Sequence, residues 1–229
     1  MNDCSNCPIP DTHQKLKEAI YFLGRCAEHY HEPEKFQFNL NAFIQALRNI
    51  TFMLQSEPSK PDIFSAWYAN KQTEMSKSDL LRRFVKARNV VVKQSSLKAQ
   101  STARSGVFRG RHLKLGMNHS VPLFAPSEWV LERLKANVGF FLDEGRSQPW
   151  AQFGIYRIWA VEELGKSEVL GLCVQAINYL GAIVEDAHRV FGTNVESSVV
   201  ELDMLRTQTL LETDADPSLV ERWGWNDAV

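Results

Sequence analysis

The sequence predicts an all-α protein, an up-and-down helical bundle that carries a basic loop or small hairpin near its middle. Two observations predict it. In several long stretches, apolar residues recur at alternating steps of three and four, the period of helices that each bury one face. Between Asp79 and Glu128, by contrast, 48 residues contain no acid and ten Lys or Arg, and part of that stretch has no apolar period at all.

The elements follow in chain order. Residues 11 to 31 read as a helix on Leu16, Ile20, Leu23 and Ala27, stopped by His31-Glu32-Pro33. Phe36, Leu40, Phe43, Leu47, Ile50 and Leu54 then form a seam for packing against another helix, with Ile44 beside it and Ser56 to Pro61 as its end. A shorter amphipathic stretch from Ile63 to Met75 carries Phe64, Trp67 and Tyr68. Ser78-Asp79 caps a helix running from Leu80 to Lys93. Gln94 to Gly106, rich in Ser, Ala and Gln, reads as a loop, and the short alternations of 107 to 124 as a small hairpin. Pro126-Ser127-Glu128-Trp129 opens a helix that ends near Gly145. Trp150 to Leu164 reads as helical, with Phe153, Tyr156, Ala160 and Leu164 on one side. The last strong helix carries Val169, Cys173, Ala176, Leu180, Ile183, Ala187 and Val190, and Val199 to Leu211 has the pattern of one more. The expected organisation is a flexible terminus at 1–10, a bundle at 11–191 with its insertion at 94–124, and a C-terminal segment at 192–229 holding eight acids and two bases.

Of the 229 residues, 44% are hydrophobic and 23% charged, the balance of a globular protein rather than a disordered one. No uninterrupted apolar run reaches the roughly 20 residues of a bilayer span. The N-terminus lacks the basic and apolar regions of a secretion signal, so a cytoplasmic location without membrane contact is the expectation. Four cysteines are expected to remain thiols there, with Cys26 and Cys173 as small core residues. Cys4 and Cys7 have the spacing of half a zinc knuckle, with His13, His29 and His31 downstream. No second pair at similar spacing follows, so neither a metal nor another cofactor is expected, and the terminus reads as frayed. His188, beside Glu185 and Asp186, reads as part of a surface charge cluster.

The charge split is the sharpest functional signal. Outside the acid-free stretch, 16 bases face 27 acids. Surfaces normally intersperse the two signs, so this stretch is expected to face something anionic: a nucleic acid, a phosphorylated ligand or the chain's own acidic tail. At 100° per residue, Leu81, Phe84, Val85, Val91 and Val92 share one face of the 80–93 helix, with Arg88 in their midst. Arg82, Lys86, Asn89 and Lys93 lie along a flank. An arginine centred on an apolar stripe either meets a carboxylate, Glu28 for example, or looks into an anion-binding groove.

Arg88-Asn89-Val90-Val91-Val92-Lys93 resembles the signature of HEPN domains, in which an Arg and a polar residue precede a His by a few positions. The stretch from Phe38 to Ile50 is similar to the second helix of such bundles, and Phe64-Ser-Ala-Trp67 with the Leu-Leu-Arg-Arg-Phe lead-in fits the same pattern. The resemblance covers roughly residues 11 to 95. It implies an all-α bundle, a homodimer and an RNA-facing groove, because HEPN ribonucleases join Arg and His from two protomers to cut RNA without metal. Here Lys93 stands at the His position. A lysine holds a phosphate but does not exchange protons at neutral pH as a histidine does.

The expectation is therefore a HEPN-like protein that binds RNA or another polyanion without efficient catalysis. Arg88, Asn89 and Lys93 are the catalytic candidates, with the loop histidines His112 and His119 as further ones, and Arg82, Lys86, Arg88, Lys93, Arg104, Arg109, Arg111 and Lys114 would hold phosphates. The rival is a protein-interaction module, such as an antitoxin or an accessory subunit of a defence system with a protein partner. A metal-independent ribonuclease is the third reading.

Overall fold

A computed structural model describes residues 7–93, 97–119, 122, 124–138, 151–195 and 199–222. In chain order the elements are α1 (Pro10–Glu28), α2 (Pro33–Ser56), α3 (Phe64–Lys77), α4 (Asp79–Lys93), β1 (Ala99–Arg109), β2 (His112–His119), α5 (Ser127–Val138), β3 (Gln152–Val161), α6 (Val169–Val190), α7 (Met204–Gln208), β4 (Thr209–Leu211), α8 (Glu212–Ala215) and α9 (Ser218–Arg222). The chain divides into two compact units. One holds Met1–Cys26, Gln37–Lys98 and Ala160–Leu202; the other holds Ala27–Phe36, Ala99–Trp159 and Asp203–Val229.

The first unit is helical, and its helices follow the apolar periods. Leu40, Phe43, Leu47, Ile50 and Leu54 of α2 are all buried, with Ile44 beside them. On α1 the buried stripe is Thr12, Leu16, Ala19, Leu23 and Cys26, one position off the expected Ile20 and Ala27. Glu57, buried just beyond α2, accepts hydrogen bonds from the Thr12 backbone N–H and hydroxyl, both at 2.7 Å, and so caps the first turn of α1. Glu168 caps α6 in the same way through Leu170 N–H at 3.0 Å and Gly171 N–H at 2.7 Å. By length and composition α6 is apolar enough to cross a membrane. Its Val169, Cys173, Ala176, Leu180, Ile183 and Ala187 stripe is nevertheless buried protein core.

The second unit is built on a four-stranded sheet of order β2-β1-β3-β4. Ala103 of β1 and Phe153 and Ile155 of β3 pack under Val130, Leu131 and Leu134 of α5. β1 and β2 form an antiparallel hairpin that turns at Gly110, whose φ of 52° suits a residue without a Cβ. The register steps from Val107 opposite Leu115 to Phe108 opposite Leu113, which leaves Lys114 as the extra residue of a β-bulge. Gly106 lies opposite Gly116, and a Cβ on Gly106 would overlap the Leu115 carbonyl.

The fold is therefore α/β, with a four-stranded antiparallel sheet, and not an all-α bundle. The hairpin expected over 107–124 exists, but β1 already begins at Ala99 inside the expected loop. The largest departure is 150–164. Phe153, Ile155, Arg157, Trp159 and Val161 are buried at every second position, the period of a strand. Strand-forming Phe, Ile, Tyr and Trp outweigh the helical spacing of Phe153, Tyr156 and Ala160, and Arg157 disguised the alternation by placing a charge in the buried set. Residues 199–211 hold only the short α7 before β4. The expected end of the 126–145 helix near Gly145, Cys4, Trp150 and the Trp-Gly-Trp end lie outside the described residues.

Candidate functional site

The bases singled out in the sequence fall into two sets. Arg82, Lys86, Arg88 and Lys93 are on α4 in the first unit; Arg104, Arg109, Arg111 and Lys114 are on the hairpin in the second. On α4 the buried face is Leu81, Phe84 and Ala87, so Arg88 lies at its edge and is half-buried. Val85 and Val92, expected beside it in the core, are exposed. Arg82, Lys86, Asn89 and Lys93 form one exposed stripe, as the flank reading expected.

Ion pairs separate these cations into working groups. Arg82 and Arg83 both reach Asp79, and Arg83 also donates to the Leu164 carbonyl at 3.1 Å. Lys98 pairs with Glu162 at 3.3 Å. Arg111 grips Asp214 with both nitrogens, at 2.8 and 2.7 Å, and donates to the Thr209 carbonyl at 2.8 Å. Among the described residues the acidic C-terminal segment thus reaches the basic stretch through Arg111, which fastens the hairpin turn to β4 and α8. Among the described residues no carboxylate pairs with Lys86, Arg88, Lys93, Arg104, Arg109 or Lys114.

A cleft of about 350 Å³ opens in the first unit, its walls made by Leu47, Tyr68, Phe84 and Leu180, with Arg48 and Arg82 among its lining. The Tyr68 hydroxyl donates to the Thr51 carbonyl at 3.2 Å and accepts from Gln55 Nε2 at 2.9 Å. Burial raises its pKa, so the phenol stays protonated.

The second unit has a buried polar centre that the sequence reading missed. Arg157, 0% exposed, donates from Nε to Ser101 Oγ at 2.7 Å and from Nη1 to the Ala125 carbonyl at 2.8 Å and Ser127 Oγ at 3.3 Å. Its guanidinium lies 4.5 Å from the centre of the Trp159 ring. Burial lowers its pKa to about 10, which still leaves it charged at neutral pH. His31 Nδ1 is 2.9 Å from Ser127 Oγ, and the Ser127 N–H donates to the His31 carbonyl at 3.0 Å. Burial, and then the Arg157 charge, depress the His31 pKa to about 4. This is a structural network in which the guanidinium is shared among three acceptors, while buried His31 Nε2 has no hydrogen-bond partner among the described residues. The apolar residues at every second position around it, Phe153, Ile155, Trp159 and Val161, were the available sequence signal for the burial of Arg157.

One cluster in the first unit has the residue types of a metal centre. Cys7, just ahead of α1, carries a thiol; His13 is in the first turns of α1 and His188 in the last turn of α6. Their ligand atoms, one from each, all lie within 4.8 Å of one another. His188 is buried, not part of a surface charge cluster. Its position four residues after Val184 on the apolar stripe of α6 was the sequence signal for that burial. Burial and the neighbouring His13 hold its pKa down at about 4; burial and then Lys17 lower that of His13.

A family model described as bacteriophage lambda protein ea47 matches residues 2–219. Protein ea47 of Escherichia phage lambda is 34% identical over 93 residues, covering 40% of this chain and 23% of that protein. The tRNA uridine 5-carboxymethylaminomethyl modification enzyme MnmG of Geobacter sulfurreducens is 24% identical over 234 residues, covering 96% of this chain and 34% of the enzyme. The chain thus spans a minor part of the length of both relatives. No solved structure matches it.

Proposed function

The chain belongs to the family of bacteriophage lambda protein ea47, and for this member we propose the binding of RNA or another polyanion, without efficient catalysis, through its basic segment. The observation that carries this reading is the division of the cations. Four of the ten bases are spent on carboxylates inside the protein, as Arg111 is on Asp214. The other six have no carboxylate partner among the described residues, and five of them, all but Arg88, are exposed. Exposed cations without local counter-charges are what a phosphate backbone displaces counterions from, and such binding is steeply salt-dependent.

RNA is the preferred polyanion on two supports: the resemblance of Arg88-Asn89…Lys93 to the HEPN motif, and the tRNA-modifying function in the name of the Geobacter relative. With Lys93 at the histidine position there is no proton shuttle in that motif. A homodimer in the cytoplasm goes with this reading.

The test is fluorescence polarisation of single-stranded RNA in chelator at several salt concentrations, with the oligomeric state followed by light scattering. Affinity should fall with a log–log slope of roughly −0.7 per phosphate contact. Replacing Arg104, Arg109 and Lys114 together by serine should weaken it at least tenfold, with no RNA cleaved. Binding that is flat in salt, or absent at low salt, overturns the proposal.

One observation favours the rival reading of a protein-interaction module, such as an antitoxin or defence-system accessory subunit. Strand β2 is a sheet edge, and its Leu115 and Met117 are 74% and 57% exposed. Under that reading, Leu115→Ser with Met117→Ser abolishes partner capture and leaves RNA affinity alone.

A further inference from the structure

We propose that Cys7, His13 and His188 bind one zinc ion and thereby fasten the segment ahead of α1 to the end of α6. Sγ of Cys7 lies 3.4 Å from His13 Nδ1 and 3.8 Å from His188 Nε2, and the two histidine Nε2 atoms are 3.2 Å apart. Tetrahedral zinc, with bonds of about 2.0–2.1 Å to nitrogen and 2.3 Å to sulfur, sets its ligand atoms about 3.3–3.6 Å apart. The two Cys7 gaps lie within and just above that range, and one ligand atom from each residue lies within 4.8 Å of the other two. His13 meets Cys7 and His188 through different ring nitrogens, so a small shift of its ring brings a single nitrogen to the metal.

The environment of His188 points the same way. Thr193 donates its hydroxyl to the His188 carbonyl at 3.2 Å, so the same oxygen, 2.9 Å from Nδ1, acts there as the acceptor. That assigns the ring proton to Nδ1 and leaves the Nε2 lone pair facing Cys7 and His13. Metal-bound histidines are held by this arrangement, the far nitrogen donating to an oxygen that fixes the ring. Two opposite charges act on His13, those of Lys17 and Glu57; the Glu57 carboxylate is buried and carries an oxygen without a hydrogen-bond partner.

One thiolate with two imidazoles is a borderline-soft set, suited to zinc and to cobalt as its coloured substitute, and not to magnesium or calcium. The two ends of the site, Cys7 and His188, are 181 residues apart in sequence. The site therefore exists only in the folded chain, and binding there should raise stability. Cys4, three positions before Cys7 at knuckle spacing, lies outside the described residues and is kept unchanged in every variant below.

The experiment uses the full chain, freed of any histidine tag and stripped with chelator. Zinc is titrated against a chromophoric competitor, and cobalt is followed by absorption. The proposal expects one equivalent of zinc, a thiolate-to-cobalt charge-transfer band, and a higher unfolding midpoint with zinc. Cys7→Ser should remove the band and weaken zinc by about a hundredfold or more, and Thr193→Val should weaken it by roughly tenfold. Cys7 is only half-buried, so its variant should fold; circular dichroism of the stripped forms checks this. Absence of stoichiometric zinc in the wild type, a cobalt complex without the thiolate band, or equal affinity in Cys7→Ser would each overturn the proposal. The cluster would then be a hydrogen-bonded Cys-His-His triad only.

Discussion

Trp159 donates twice to Tyr30: its indole N–H to the Tyr30 carbonyl at 3.0 Å and its backbone N–H to the Tyr30 hydroxyl at 3.2 Å. Phe36 stacks on the same indole at 5.0 Å. The extended backbone of β3 at 159 presents both donors to one residue. The pair therefore pins the α1–α2 connection to β3 and sets the face on which Arg157 is buried.

Arg157→Leu should cost on the order of 3 kcal/mol in chemical unfolding, because it strands the Ala125 carbonyl and two serine hydroxyls that now accept from the guanidinium. Arg157→Lys should recover less than half of that, since one ammonium cannot reach three acceptors arranged around a planar fork. A variant as stable as the wild type would mean that water replaces the arginine without loss.

The protein should lose stability in mild acid through His31. Its folded pKa of about 4 lies below the ordinary 6.5, so the unfolded chain takes up the proton first. The contribution is complete above about pH 6.5 and is lost as pH falls toward 4, to a total of about 3 kcal/mol. In His31→Asn, which keeps a polar group near the Nδ1 position, urea unfolding should show a shallower pH slope across that window. Identical slopes in the two proteins would exclude His31 as a source.

Arg111 and Asp214 should couple by roughly 1–2 kcal/mol in a double-mutant cycle, more than an exposed pair, because the contact is two-pronged and half-buried. Either single alanine variant should loosen the hairpin turn, seen as faster amide exchange at Gly110 and Thr209. Zero coupling would show that the Thr209 carbonyl alone holds the arginine.

Arg88→Ala should cost less than about 1 kcal/mol of stability, since Arg88 sits at the edge of the buried face of α4 with no carboxylate partner among the described residues. Its effect should appear instead in RNA affinity. A loss of 3–5 kcal/mol, the scale of a broken buried ion pair, would place it in the structural core.

Along α2 and α6, local sequence was enough. One apolar residue every three or four positions leaves a helix only one face to bury, and Phe43, Leu47, Cys173 and Leu180 are buried on it. The exposed stripe of Arg82, Lys86 and Lys93 was equally legible, because charged side chains default to solvent. Residues 152–161 satisfied two periods at once, and tertiary partners chose between them: Tyr30 for Trp159, Ser101 for Arg157, and α5 for Phe153. Which cations are spent on carboxylates was likewise undecidable along the chain, since Arg111 finds Asp214 103 positions away. The same holds for Cys7, His13 and His188. A metal centre is defined by distances of a few ångströms among side chains, and sequence spacing expresses such distances only where ligands share one turn or helix. Here the third ligand arrives from the far end of α6, so folding alone assembles the set.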